Sequence, residues 1–348
     1  MNFDDMKFAV ESLTGGTNTV LLDNKGLPSV VVAFPKHSKK DLFGGADATH
    51  GGHIVNGVEK DVIYVDKFEN VVMDSRGYSL PGKDPATSVN FDQAVTYARN
   101  KGTGWSVLPF ATWAEIALWC RMNGTMPHGN DKNGVSIDNT KEKGIPSYTY
   151  TDSTTKATLT GRIATGSGPA SWYHDGTKNG IADLCGNIWE WTPGLRLNNG
   201  EIQIIPNADA FLSTTNLSAT SSAWKAIKSD GTLVSPGTAG TLKYGSTNLM
   251  STTTTVADAS KFYSFTAMTL DTGLTAPEIA KELILYPAEP GKDYGFDFHA
   301  WNTSGERLAF CGGSWYDGTN AGVFYVDLNC GRSNSSDALG FRSAYCKL

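Results

Sequence analysis

Short apolar runs alternate with turn signals through the first sixty residues. Residues 19–22 are apolar, Asp23-Asn24-Lys25-Gly26 follows, and residues 29–34 are apolar again before Pro35, a spacing that predicts two β-strands joined by a hairpin. Residues 62–68 alternate and predict another strand. Two helices carry explicit punctuation. In the first, Asn90 and Gln93 form a capping box, Phe91, Ala94, Val95 and Ala98 share one face, and Gly102 marks the stop. In the second, Pro109 precedes a Thr112–Glu115 capping box, and Trp113, Ile116, Ala117 and Cys120 recur at helical spacing up to Gly124. Trp113 and Trp119 read as core residues.

Between these elements the chain is rich in turns. Residues 44–53 are glycine-rich and predict an irregular loop. His50 and His53 stand at HxxH spacing there, but no third ligand lies nearby, so a plain loop is expected rather than a metal site. Residues 198–300, with stretches such as Ser251-Thr252-Thr253-Thr254-Thr255, read as one long insertion without internal repeats. The organisation expected is a β-rich region at 1–60, an attachment domain in role, followed by one domain over 61–348 that carries the insertion.

Composition narrows the classes. Of 348 residues, 40% are hydrophobic and 18% charged, enough to bury a sizeable core, and 38 glycines favour turns and short strands over long helices. The formal net charge of -6, with no basic run beyond Lys39-Lys40, argues against a nucleic-acid partner. No apolar stretch reaches 18 residues and no secretory signal opens the chain, so membrane insertion is not expected and the mature chain is expected to begin at Met1. Cys120, Cys185, Cys311, Cys330 and Cys346 are odd in number and lack CxxC spacing, which predicts free thiols rather than disulfides or structural zinc.

Three motifs occur in order. The first runs from Pro85-Ala86-Thr87-Ser88-Val89-Asn90-Phe91 to Leu108-Pro109-Phe110-Ala111-Thr112-Trp113-Ala114-Glu115. The second is Gly186-Asn187-Ile188-Trp189-Glu190-Trp191, and the third is Gly312-Gly313-Ser314-Trp315 with Gly340-Phe341-Arg342-Ser343 downstream. This order resembles the formylglycine-generating-enzyme branch of the C-type lectin fold. The resemblance implies an α+β fold with short strands, two main helices and long loops. The oxidases of that family carry a redox-active cysteine pair a few residues after Gly-Gly-Ser. Here Tyr316, Asp317 and Asn320 stand in that stretch without a cysteine, and Cys311 and Cys330 lie outside it, so oxidase chemistry is not expected.

The ending is similar to the variable proteins of diversity-generating retroelements, in Gly312-Gly313-Ser314-Trp315, Ala321-Gly322-Val323-Phe324, Leu328, Arg332-Ser333 and Gly340-Phe341-Arg342-Ser343-Ala344. That resemblance implies a non-enzymatic receptor binder with a diversified region at about 311–345, on a phage virion or directed to a cell surface, and otherwise cytoplasmic. Its partner would be a protein or surface ligand such as a host-cell receptor. A copper-dependent oxidase and a lectin of fixed specificity are the alternatives.

The residues of this ending support a contact surface on their own terms. Residues 311–340 include six Gly, four Ser, three Asn and two Tyr, a mixture like that of antibody paratopes. Randomising the adenines of an Asn codon never yields Met, Gln, Glu, Lys or Trp. None of the first four occurs in residues 309–345, where about 4 are expected from their 41 occurrences in the chain, and the one Trp there is Trp315 of the motif. Alternation over 322–328 places Phe324, Val326 and Leu328 on a core face, and Val323, Tyr325 and Asp327 on the other. The expected ligand-binding residues are Tyr316, Asp317, Asn320, Tyr325, Asp327, Asn329, Cys330, Asn334, Ser336, Asp337 and Ala338. Binding of this kind requires no cofactor. Trp189 and Trp191 read as core packing, and Glu190 is open between a backbone partner and solvent.

Overall fold

A computed structural model describes residues 2–253, 258, 260–295 and 297–348. Met1, Thr254 and Thr255 lie outside the described residues. The chain runs α1 (Phe3–Leu13), β1 (Asn18–Leu22), β2 (Pro28–Pro35), β3 (Val62–Asp66), α2 (Phe91–Arg99), β4 (Trp105–Val107), α3 (Phe110–Asn123), β5 (Trp189–Asn198), β6 (Glu201–Ile204), β7 (Ser260–Ser264), β8 (Phe298–Asn302), β9 (Glu306–Gly312), β10 (Gly322–Leu328), β11 (Leu339–Phe341) and β12 (Ser343–Tyr345), with shorter pieces between.

The hairpin forms in the expected place, with Val20 opposite Val30. Its strands join a five-stranded sheet in the order β1-β2-β3-β12-β4. The first sixty residues thus build one side of a sheet shared with the end of the domain, although composition suggested a region apart. Helix α1 was not foreseen. Asn2 and Asp5 close a capping box at its start, but none of its residues is buried, and Phe8 and Leu13 face solvent.

A larger sheet runs β7-β8-β10-β9-β5-β6, with β11 pairing in parallel on β5 so that Trp189 lies opposite Leu339. Much of the 198–300 segment extends this sheet through short strands beyond β6. Helix α3 has ten buried residues, eight of which join a core shared with Phe34 and Ile63 of the first sheet and Leu195 and Phe324 of the second. Trp113 anchors it by donating its indole N–H to the Val323 carbonyl at 2.8 Å. Among the described residues no helix is long and apolar enough to cross a membrane.

Local punctuation divides into what formed and what did not. The Asn90–Gln93 capping box is present at α2. At α3 the helix begins directly after Pro109, so Thr112 and Glu115 lie one turn inside it and the predicted box is absent. Their side chains act sideways instead. Thr112 donates to the Gly52 carbonyl at 2.9 Å, and the buried Glu115 carboxylate accepts from His37 at 3.1 Å and from His53 at 2.7 Å. The 44–53 segment is therefore no free loop. His53 meets Glu115 with Nδ1 and the Phe34 carbonyl, at 3.0 Å, with Nε2. His50 meets the Glu282 carbonyl with Nε2 and accepts from the Gly52 N–H with Nδ1. Both rings are buried and have spent their nitrogens on protein partners.

Glu190 faces neither solvent nor a loop backbone. It receives a two-pronged contact from Arg342, Nε at 2.9 Å and Nη2 at 2.7 Å, and both side chains are buried. The same guanidinium donates to the carbonyls of Asp66, Lys67 and Ala182, which uses all five of its N–H groups. This contact reinforces the β5–β11 pairing that joins the second and third sequence motifs.

Candidate functional site

The turn after β9 is set by glycine. Gly313 has φ 86°, and a Cβ there would come 2.6 Å from that of Ala321, so only glycine lets the chain fold back into β10. Ser314 then ties the turn, its N–H and hydroxyl both donating to one carboxylate oxygen of Asp317 at 2.8 and 2.6 Å. Trp315 is buried beside Tyr148 and carries Tyr316 outward, where that ring is 59% exposed.

Along β10 Phe324, Val326 and Leu328 lie in the central core as expected, but Val323, expected on the opposite face, lies in that core too. The other face is not open. Tyr325 is only 2% exposed and lies edge-on to Trp189 with ring centroids 4.4 Å apart, and Trp189 in turn meets Phe310 at 5.0 Å. An aromatic layer from β5 and β9 covers this face, which alternation within one strand does not reveal.

A cavity of about 240 Å³ opens beside that layer. Seven of the eleven expected residues line it: Tyr316, Asp317, Tyr325, Asp327, Cys330, Asn334 and Ser336. Trp189, Phe310 and Leu339 complete its wall and were missed as site residues. Trp189 was read as core because it shares a strand face with the fully buried Trp191. The register that sets Phe310 opposite Asp327 is not visible in sequence.

Four expected residues lie off this wall. Ala338 is wholly buried, its carbonyl accepting from the Trp189 N–H at 2.8 Å, so it cannot belong to a displayed surface. Asn320 is half-buried in the turn before β10, and Asp337 is exposed, with its carbonyl bonded to Arg162. Asn329 faces Asp327, donating its N–H at 2.6 Å and its side-chain amide at 3.3 Å. Tyr325 stays in the site as a buried wall rather than an exposed anchor.

The electrostatics of the cavity are one-sided. Burial raises the Asp317 carboxyl, and burial opposed by the Asn329 hydrogen bonds pushes Asp327 up to about 7. Burial also raises the Tyr316 and Tyr325 phenols, with neighbouring aspartates adding to it. The Cys330 thiol is pushed up to about 11, first by burial and then by Asp327, and burial raises Cys311 as well. Such thiols hold little thiolate at neutral pH, the opposite of an activated nucleophile or a soft metal ligand. All five cysteines are free.

Residues 55–218 match the sulfatase-modifying factor enzyme 1-like domain family. Trp189 lies inside that span, and the rest of the cavity wall lies beyond it. The chain is similar to the solved structure of a Major Tropism Determinant U1 variant, at 11% identity and TM-score 0.32, over 94% of this chain and 71% of that one. It is also similar to the P3c variant, at 10% identity and TM-score 0.33 over the same shares. No curated protein matches the chain. The family match covers 164 of the 348 residues, and the chain has an α+β fold of the C-type lectin-like kind.

Proposed function

We propose that this protein is a non-enzymatic receptor binder, and that its ligand surface is the cavity and rim formed by the diversified segment at about 311–345. One observation carries the proposal. Seven residues singled out for contact line a single cavity, while Phe324, Val326 and Leu328 of the same segment hold the core. A segment that varies on one side and supports the fold on the other can change its contacts without losing its structure. Its setting is a phage virion or a surface-directed protein, and its partner a protein or surface ligand such as a host-cell receptor.

Sequencing the surrounding locus tests the diversification. A near-copy of codons 311–345, differing mainly where the copy has adenine, is expected beside a reverse-transcriptase gene, and a complete genome without the copy overturns it. Oxygen consumption with Cu(I) and a cysteine peptide is expected to stay at background, and turnover would restore the oxidase alternative.

The division of labour within the segment has its own test. Replacing Tyr316, Asn334 and Ser336 together with alanine should leave the melting temperature within about 2 °C of the parent, because half-buried and exposed rim positions contribute little. Phe324→Asp should abolish folding by burying a charge in the core. Circular-dichroism melts compare the two, and equal losses would refute the assignment of faces.

A further inference from the structure

We infer that the cavity takes an organic cation, the ammonium or guanidinium head of a basic side chain on a protein partner. The inference deepens the binding reading above and rests on it.

Its wall combines the aromatic rings of Trp189, Tyr316 and Tyr325 with the carboxylates of Asp317 and Asp327, and no Lys, Arg or His lines it. The nearby arginines are committed elsewhere. Arg307 donates to the carbonyls of Ser304 and Asn329, and Arg332 to Glu306, Asp92 and the Leu217 carbonyl. Negative charge in the cavity is therefore not neutralised from within the wall.

Unspent hydrogen-bonding capacity points the same way. Tyr325 is 2% exposed and lines the cavity, and its hydroxyl makes no hydrogen bond to the described residues. Asp317 spends one oxygen on Ser314, and its other oxygen has no partner among the described residues. A buried phenol and a half-used carboxylate beside aromatic faces suit an N–H-rich cation, which gains charge-assisted hydrogen bonds from the carboxylates and electrostatic attraction from the rings. An anion would face two aspartates. The volume of about 240 Å³ admits the end of one side chain and is small for an oligosaccharide or a nucleotide. The Tyr-, Ser- and Asn-bearing rim suits a protein surface around that side chain.

The groups facing Asp327 are Asn329 on its own stretch and Asp317 and Tyr316 on the preceding turn, with Phe310 opposite on β9 and Arg307 within reach of Cys330. Because Asp327 titrates near 7, cation affinity should fall as the pH drops through that value. The sign for stability is opposite. A raised carboxyl contributes most below its ordinary value of 3.8, and that contribution is lost as pH rises through about 7, so Asp327→Asn should melt no lower than the parent at pH 8.

Tryptophan fluorescence titrations of the full chain at pH 8 provide the test, with Nα-acetyl-lysine amide and Nα-acetyl-arginine amide as cations and the norleucine and citrulline amides as neutral isosteres. Saturation is expected at about 1 mM for a cation, as for a single small group, and at least about tenfold weaker for its isostere. Asp327→Asn and Asp317→Asn should each weaken the cation about tenfold with the melting temperature held, and Tyr316→Ala serves as an exposed-site variant if either aspartate variant fails to fold. Butylamine binding as tightly as the amino-acid amides would overturn the protein side chain as the source. Isosteres binding equally, or no saturation by either cation, would overturn the cation itself. If the cation arm fails while the adenine-marked near-copy is present at the locus, this inference alone falls.

Discussion

Arg342→Met is expected to cost about 3–5 kcal/mol of folding stability, a large share of the about 5–15 kcal/mol that holds an ordinary protein folded. All five N–H groups of this guanidinium are bonded, two of them to Glu190 and three to carbonyls of Asp66, Lys67 and Ala182. Methionine replaces the volume but takes a donor from the Asp66, Lys67 and Ala182 carbonyls, of which Lys67 keeps the Ala182 N–H, and leaves the Glu190 carboxylate buried without its cation. Glu69 and Asp183 aggravate the loss, because Arg342 also acts on both of them from within the core. Burial already raises the Glu190 carboxyl even with the arginine present. The deficit should therefore shrink as pH falls and the carboxylates take up protons. Denaturant unfolding at pH 5 and pH 8 measures it. The double variant Arg342→Met/Glu190→Met should recover part of the loss, since an apolar pair avoids the lone buried charge. No recovery would mean that the carbonyl contacts, not the ion pair, dominate.

Glu115→Gln is the second large effect, expected at about 3 kcal/mol. The carboxylate is buried, accepts from the backbone and ring of His37 and the ring of His53, and lies 3.4 Å from His50. It fastens α3 to the 50–53 turn and, through His53, to the Phe34 carbonyl of β2. An amide keeps the shape but turns one acceptor into a donor facing histidine. Burial works against the charge of Glu115, yet the hydrogen bonds from the surrounding histidines outweigh it and hold the carboxyl well below the usual carboxylate range. A depressed carboxyl adds stability that is present above its ordinary value of 4.5 and is lost as pH falls below it. Melting temperature against pH between 3 and 6 should be steeper for the parent than for Glu115→Gln. Parallel curves would show that the carboxylate is not the charged anchor.

What could be read from sequence was what nearby residues decide. The hairpin at Asp23–Gly26, the Asn90–Gln93 box and the Gly124 stop are each settled within a few positions, and all three are present. The Thr112–Glu115 pattern had the right spacing for a box, but Pro109 starts the helix one turn earlier and frees both side chains for distant partners. Helix α1 was legible and went unread: Asn2 and Asp5 stand at capping-box spacing and Phe3, Met6, Val10 and Leu13 at helical spacing, although the helix buries none of its residues. Glu190 could not be assigned because Arg342 lies 152 residues away. Alternation in β10 set Phe324, Val326 and Leu328 apart from Tyr325 and Asp327 but misplaced Val323, which joins the core, and whether Tyr325 meets water depends on Trp189 and Phe310 of other strands. That is why Tyr325 is a wall of the site and Ala338 no part of its surface.

The position of β12 between β3 and β4 bears on how this protein is made. An inner strand of the first sheet thus lies at the end of the segment proposed to vary. A message with a stop codon or a shifted frame in that segment yields a chain with a gap between two finished edges and with no Arg342. Such a chain lacks both an inner strand of the sheet and its buried cation, so the fold itself would tell a complete copy of a varying segment from a broken one.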